Sequence, residues 1–370
     1  MSAFDPRPYL DQLEGLVDVA QQHRAEARQV AALRFEPLDR RPTIVTCRAD
    51  WSHTQEDWAP GWPQIPYGEA FTDPAKMLIS ELARVYEGAL LRDDRVFTIR
   101  ANYGLVLGTS IVGAEYWQDG DNMPWPMPVE SLDEVLAIID RGMPDLNNGL
   151  GRKLWETEAY FRDTLAGYPK LAQTVHIGCP DPQGPFNLAT NLAGAAIYLA
   201  TLEEPEIVHA ALDFFVPIYI AIIKQHKYVV GEAPEAGYTF GCRLNGSGRI
   251  VDDTGVMLSR DMYLEFCVPR NSSIATALGG SLGHFCGKGS HFYEDFVSTP
   301  GITSMNFGQP ELHNLVQRYE VARSHKVCLM WDGAVPPEAD HLTTGIIHRC
   351  VVPTWSEAQA VAGQLFGRDE

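Results

Sequence analysis

The sequence predicts an α/β fold in which eight strand-then-helix units close into one (β/α)8 barrel. Three observations predict it. Eight short apolar or β-branched runs recur along the 370 residues, nearly all separated by helical stretches, and such alternation implies a parallel sheet. Each run ends in polar residues at the start of a loop, the end of a barrel strand where chemistry is assembled. No GxGxxG follows the first run, which argues against a doubly wound open sheet. No charge run, low-complexity tract or repeat marks an inner boundary. Residues 1–370 therefore read as one domain, with a core over about 40–365.

Taken in order, residues 6–32 set Leu10, Leu13, Leu16, Val17 and Ala20 at helical spacing, an amphipathic helix outside the barrel. Thr43–Cys47 is the first strand. The loop after it, 48–74, carries Trp51, His53, Trp58 and Trp62 among prolines, the composition of a substrate wall or of packing over the barrel end. Asp73 caps a helix from Pro74 to about Leu91. Strands follow near 96–100 and 174–178, with an irregular insertion at 105–128 and helices near 130–141 and 151–166 between them. Phe186–Ala200 and Pro205 to about Val229 read as helices. Tyr238–Leu244 is extended, Asn245–Gly248 turns, and 250–258 is the fourth strand with its polar end. Ser259 caps a helix to Leu278. Four more strands are expected near 281–286, 302–306, 327–331 and 346–350, and Ser356 caps the last helix.

Hydrophobic residues make up 45% of the chain and charged residues 21%, so a large core is expected. The formal charge of −19 argues against nucleic acid or an anionic membrane as the main partner, while leaving room for a local basic pocket. The seven cysteines are widely spaced and odd in number, and no apolar signal region opens the sequence. A cytoplasmic protein with reduced thiols is expected. The stretch Ala210–Ile223, broken by Asp213 and Pro217, is too short to span a bilayer. The expected ligand is a small molecule, and the expected assembly a monomer or homodimer.

Ser281–Gly289 puts His284 and Cys286 two apart, and a strand sends both to one face. Catalytic zinc usually takes three protein ligands and an open position. The candidate third ligand is Cys350, at the end of the eighth strand. The other reading is a satisfied core histidine and buried thiols. At the remaining strand ends, Asn102, Tyr103, His176, Asp252 and Asp253 are candidate catalytic groups. Asp252–Asp253 is equally a helix-side turn, and Asp332–Gly333 is a turn signature first. Gln183 and Asp332 are candidate cofactor contacts.

Met257–Pro269 followed by Gly283–Gly287, Gln183–Ala189, and Val351–Pro353 with Glu357 together resemble the uroporphyrinogen decarboxylase superfamily. The resemblance covers about 40–365 and implies its TIM (β/α)8 barrel. The arginine-rich amino-terminal motif of the true decarboxylases is missing, as is their Phe-Ser-Asp context around 85–103. His-x-Cys followed much later by Cys is the mark of the branch of zinc methyltransferases, which move a methyl group between a corrinoid protein and a thiol or other acceptor. His284, Cys286 and Cys350 match it. The resemblance thus implies a zinc-dependent methyltransferase with a corrinoid carried by a partner protein. The alternatives are a decarboxylase of a tetrapyrrole or other acid, and a barrel that binds a corrinoid or small ligand without turnover.

Overall fold

The computed structural model describes residues 4–47 and 59–367. Eight parallel strands occur, seven where the sequence marks them and the fourth ending at Val251, short of the expected 250–258, where a 3-10 turn at Thr254–Met257 takes over: β1 Thr43–Cys47, β2 Phe97–Ile99, β3 Val175–Ile177, β4 Gly248–Val251, β5 Ser281–Phe285, β6 Ile302–Phe307, β7 Cys328–Trp331 and β8 Ile346–Val352. Six of them form one sheet in the order β1-β8-β7-β6-β5-β4, while β2 and β3 pair separately. The backbone ladder of the expected barrel is therefore not closed. It is open between β1 and β2 and between β3 and β4.

Side chains bridge both seams. On β1, the amides of Thr43, Val45 and Cys47 donate to Asp94 Oδ2, Asp93 Oδ2 and Glu87 Oε1 at 2.9, 2.8 and 3.1 Å. Arg95 lies between the carboxylates, with Nη2 3.0 Å from Asp93 Oδ2 and Nη1 3.0 Å from Glu87 Oε2, and it also donates to the Val45 carbonyl. Buried backbone groups demand partners, and here ionised side chains supply them in place of a neighbouring strand. At the second seam, the buried Tyr219 hydroxyl accepts from the Arg249 amide at 3.0 Å and donates to the Arg249 carbonyl at 2.5 Å.

A hairpin, Ala236–Thr239 paired with Cys242–Asn245, packs Cys242 and Leu244 against Ile44, Leu282, Cys328, Met330 and Ile347. These come from four strands, so the array curls around the hairpin. Its two turn residues, Phe240 and Gly241, both have positive φ, 46° and 80°. That is the type I′ pattern, with a bulky residue where Asn or Gly is usual. The Phe240 ring has the Arg100, Arg249 and Arg349 guanidiniums at 5.4, 5.3 and 5.7 Å.

Several helices depart from expectation. The amino-terminal helix is two, Arg7–Leu16 and Val19–Leu33, because Asp18 caps the second by accepting from the Gln21 amide. The 186–200 helix divides at Gly194, where φ is 62°, into Pro185–Ala193 and Ala196–Glu203. The 260–278 stretch contains a π turn, Tyr263–Cys267, just before Pro269. Proline cannot donate to the Glu265 carbonyl, and Arg270 Nη1 does so instead at 3.2 Å. The last helix, Trp355–Phe366, is capped by Thr354, whose Oγ1 accepts from the Glu357 amide, and not by Ser356. Asp213 and Pro217 do not break Pro205–Val230, which runs 26 residues and is long and apolar enough by composition to cross a membrane. Asp213 faces outward to Arg270, while Ile207, Leu212, Phe215 and Ile218 are buried. The same helix buries His226, whose Nδ1 lies 2.8 Å from Glu158 Oε1.

The seam has a measurable weight. Arg95→Met leaves the buried Asp93 without its counter-ion and Glu87 with Arg84 alone, and should cost about 3–5 kcal/mol in urea unfolding. Tyr219→Phe leaves two backbone groups unpaired and should cost about 1–3 kcal/mol.

His348, on the face of β8 that Arg349 does not share, adds a pH dependence. Its Nε2 donates to the Gly333 carbonyl at 3.1 Å. Burial pushes its pKa from 6.5 to about 4. The neutral form therefore stabilises the fold above pH 6.5, and this contribution is lost as pH falls toward 4. Between pH 7 and 4.5, wild type should lose about 2 kcal/mol more unfolding free energy than His348→Gln.

Candidate metal centre and cavity

On β5 and just past it, His284 and Cys286 follow Leu282 onto the inner face. Asn306, on the inner face of β6, receives His284 Nδ1 at 2.9 Å from its Oδ1. An amide oxygen only accepts, so the imidazole proton sits on Nδ1 and Nε2 carries the lone pair, which faces the Cys286 thiol. Nε2 lies 3.5 Å from Cys286 Sγ and 3.5 Å from Asp253 Oδ1. The donor atoms of these three residues all fall within 4.8 Å of one another, a group able to hold a metal ion. Asp253 Oδ1 is buried and has no hydrogen-bond partner among the described residues. Close beneath the thiol is Gly308, where a Cβ would come 2.8 Å from Sγ.

The electrostatics show what the group lacks. Burial, reinforced by Asp253, pushes the Cys286 thiol up to about 12. Burial and then the Arg249 charge hold His284 below its ordinary value. A carboxylate, a thiol and a neutral imidazole converge, and the thiol stays protonated unless a cation joins them. One nitrogen, one sulfur and one oxygen donor are ligand types that zinc accepts.

Cys350 is not part of this group. Strand alternation turns Ile347, Arg349 and Val351 inward and Cys350 outward. There it opposes Val45 in register and packs against the outer cluster of Val45, Cys47, Ala358 and Ala362. Asp252 and Asp253 separate for the same reason. Asp252 follows Ile250 into the helix layer, fully buried. Its Oδ2 accepts from Tyr263 at 2.7 Å and Asn271 at 2.6 Å, and burial raises it to about 6. Tyr103 is also buried, its hydroxyl 2.7 Å from Thr157 Oγ1. His176 turns to the hairpin: it stacks on Tyr238 at 3.7 Å and meets Glu232 at 3.3 Å.

A cavity of about 440 Å³ opens at the β1–β2 seam, lined by Thr46, Thr98, Arg100, Asn102, Phe240 and Arg349. Of the candidate catalytic groups at the strand ends, Asn102 lines it, and Tyr103, His176, Asp252 and Asp253 do not. Trp51, His53 and Trp58 lie outside the described residues. Trp62 stacks on Tyr86 at 4.8 Å, away from the lining. Gln183 donates to Asp181 Oδ1 at 2.6 Å. Asp181 also meets Arg249 at 2.9 Å and Arg100 at 3.4 Å. Asp332 takes Arg349 through both carboxylate oxygens. Both residues thus hold the charged network together. Sequence reasoning missed Arg249 and Arg349. Their signal was a lone arginine inside an apolar parallel strand, a residue the helix layer would not accept.

Among solved structures, the chain is similar to a methyltransferase from Methanosarcina mazei, with a TM-score of 0.65 and 16% sequence identity over 93% of this chain and 99% of that one. At this identity the likeness is one of fold. No protein-family model and no curated protein matches the sequence.

The ligand assignment makes Cys286→Ser and Asp253→Ala lose zinc in a titration against a chromophoric chelator, weakening binding at least tenfold, while Cys350→Ser keeps it. Zinc binding abolished by Cys350→Ser alone would restore the sequence-based ligand set.

Proposed function

We propose that the chain is a zinc-dependent methyltransferase that delivers a methyl group from a corrinoid, carried by a partner protein, or from a methylated small molecule, to a thiol or related acceptor. The observation that carries this reading is the converging set Asp253, His284 and Cys286 with an unpartnered carboxylate oxygen. The resemblance to the uroporphyrinogen decarboxylase superfamily and the fold likeness to a methyltransferase support it.

In this reading Asp253, His284 and Cys286 hold zinc, with Asn306 fixing the imidazole so that Nε2 faces the metal position. Zinc, when bound, supplies the positive charge that keeps an acceptor thiol deprotonated near neutral pH. The chain's own residues do the positioning. Arg349, clamped by Asp332, and Arg100, anchored by Asp181, face the cavity and suit an acceptor with an acidic end. Phe240 gives them an apolar floor. Holding a bulky side chain in a left-handed turn costs about 1–2 kcal/mol, a cost found mainly where function requires the geometry.

The arginine-lined cavity also favours a second reading, decarboxylation of a tetrapyrrole or other acid. The test is methyl transfer from methylcobalamin to a panel of thiols, with zinc-loaded and metal-stripped protein. Transfer should require zinc and fall at least a hundredfold in Cys286→Ser. Arg349→Met should raise KM about tenfold for a carboxylated thiol and leave a neutral thiol unaffected. Metal-independent loss of CO2 from an acidic substrate, with no methyl transfer, would establish the second reading instead.

A further inference from the structure

A second cavity, of about 470 Å³, shares no lining residue with the metal group or with the first cavity. It lies between the Val19–Leu33 helix, the turn after the Pro74–Leu91 helix and the end of the Trp355–Phe366 helix. Arg24, Arg28, Arg40 and Arg92 line it together with Asp94 and Phe366. Four guanidiniums gathered in one cavity are notable in a chain of net charge −19.

The carboxylates nearby do not neutralise them. Asp94 takes Arg40 through both oxygens and lies 3.6 Å from Arg28 Nε. Asp39 pairs with Arg28, and Asp18 pairs with Arg92 at 2.5 Å. Arg24 makes no hydrogen bond or ion pair among the described residues, although its charge reaches Asp18. Asp94 is committed twice over, since its Oδ2 also accepts from the Thr43 amide of β1. Four guanidiniums thus face three carboxylates, so one positive charge is left without a counter-ion, and Arg92 has only the exposed Asp18 as its partner.

Arg92 adds an independent observation. It terminates the Pro74–Leu91 helix in the left-handed region, at φ 53° and ψ 37°. Glycine or asparagine fits that position at less cost. An arginine stands there in spite of the strain, and it lines this cavity. The opposite wall is apolar: Arg40 lies 4.7 Å over the Phe366 ring.

Planar guanidiniums match tetrahedral oxyanions through paired N–H donors, and several arginines around one cavity select for more than one negative charge. We propose that this cavity binds a polyvalent oxyanion of the phosphate class, held by Arg24, Arg28 and Arg92 while Arg40 stays with Asp94. Its occupant would not meet the substrate of the proposed reaction. Asp94 links the cavity to the β1–β2 seam, so occupancy stabilises the native fold.

Pyrophosphate is the probe, titrated calorimetrically and by thermal unfolding into the full chain, with sodium chloride at matched ionic strength as the control. Arg24→Gln removes an exposed charge that holds no partner in place. Arg92→Gly relieves the left-handed strain, so this variant should fold at least as well as wild type. Saturable binding of pyrophosphate, weakened at least tenfold in each variant and absent with chloride, is the expected result. No saturable heat, an equal shift with chloride, or unchanged affinity in both variants would overturn the assignment. None of these outcomes depends on zinc or methyl transfer, so failure here leaves the proposed function standing.

Discussion

Three main-chain N–H groups on one edge of β1 shape much of this molecule. In a closed parallel sheet they would bond to the next strand at ladder distance. Here Asp94, Asp93 and Glu87 take them, and a carboxylate interposed between two strands holds those strands further apart than a direct ladder bond does. The separation coincides with the cavity over Thr46, Thr98 and Phe240. Burying acidic groups is unfavourable, and burial raises Asp93 above the ordinary carboxylate range against the pull of Arg95. The arrangement holds because Arg95 reaches both Asp93 and Glu87 and also the Val45 carbonyl. An open seam stabilised this way offers room inside a strand array that would otherwise be packed solid.

The same economy of charges connects distant parts. Asp94 serves β1 on one side and the arginines of the second cavity on the other. Asp181 holds Arg100 and Arg249 together, and Arg249 in turn acts on both Phe240 and His284. The molecule thus holds two arginine systems whose carboxylates do not fully neutralise them, and one carboxylate–thiol–imidazole group with the donor atoms to hold a cation.

Much of the architecture was readable in advance. The β-branched run at Thr43, the apolar run at Cys328, the Asp73–Pro74 helix start and the His284–Cys286 spacing all act through neighbours one to four residues away. Local preference settles such features, and they stand in the structure where the sequence placed them. The helix boundaries that slipped, at Gly194 and around Pro269, were matters of single backbone groups. Their partners, such as Arg270 on the Glu265 carbonyl, are side chains whose reach the pattern of apolar residues does not encode.

Alternation along a strand tells which residues share a face, and so the sequence alone determined that His284 goes with Cys286, and that Arg349 and Cys350 part company. It does not say which face is inside. That choice depends on what packs against each side: Ala358 and Ala362 behind Cys350, Phe240 and Cys242 in front of Arg349. Likewise, nothing near β1 announces that carboxylates 40 to 51 residues away will replace its neighbouring strand. Local sequence specifies dihedral preference and periodicity. The third ligand, the open seam and both arginine clusters depend on side chains brought together only when the whole chain is packed.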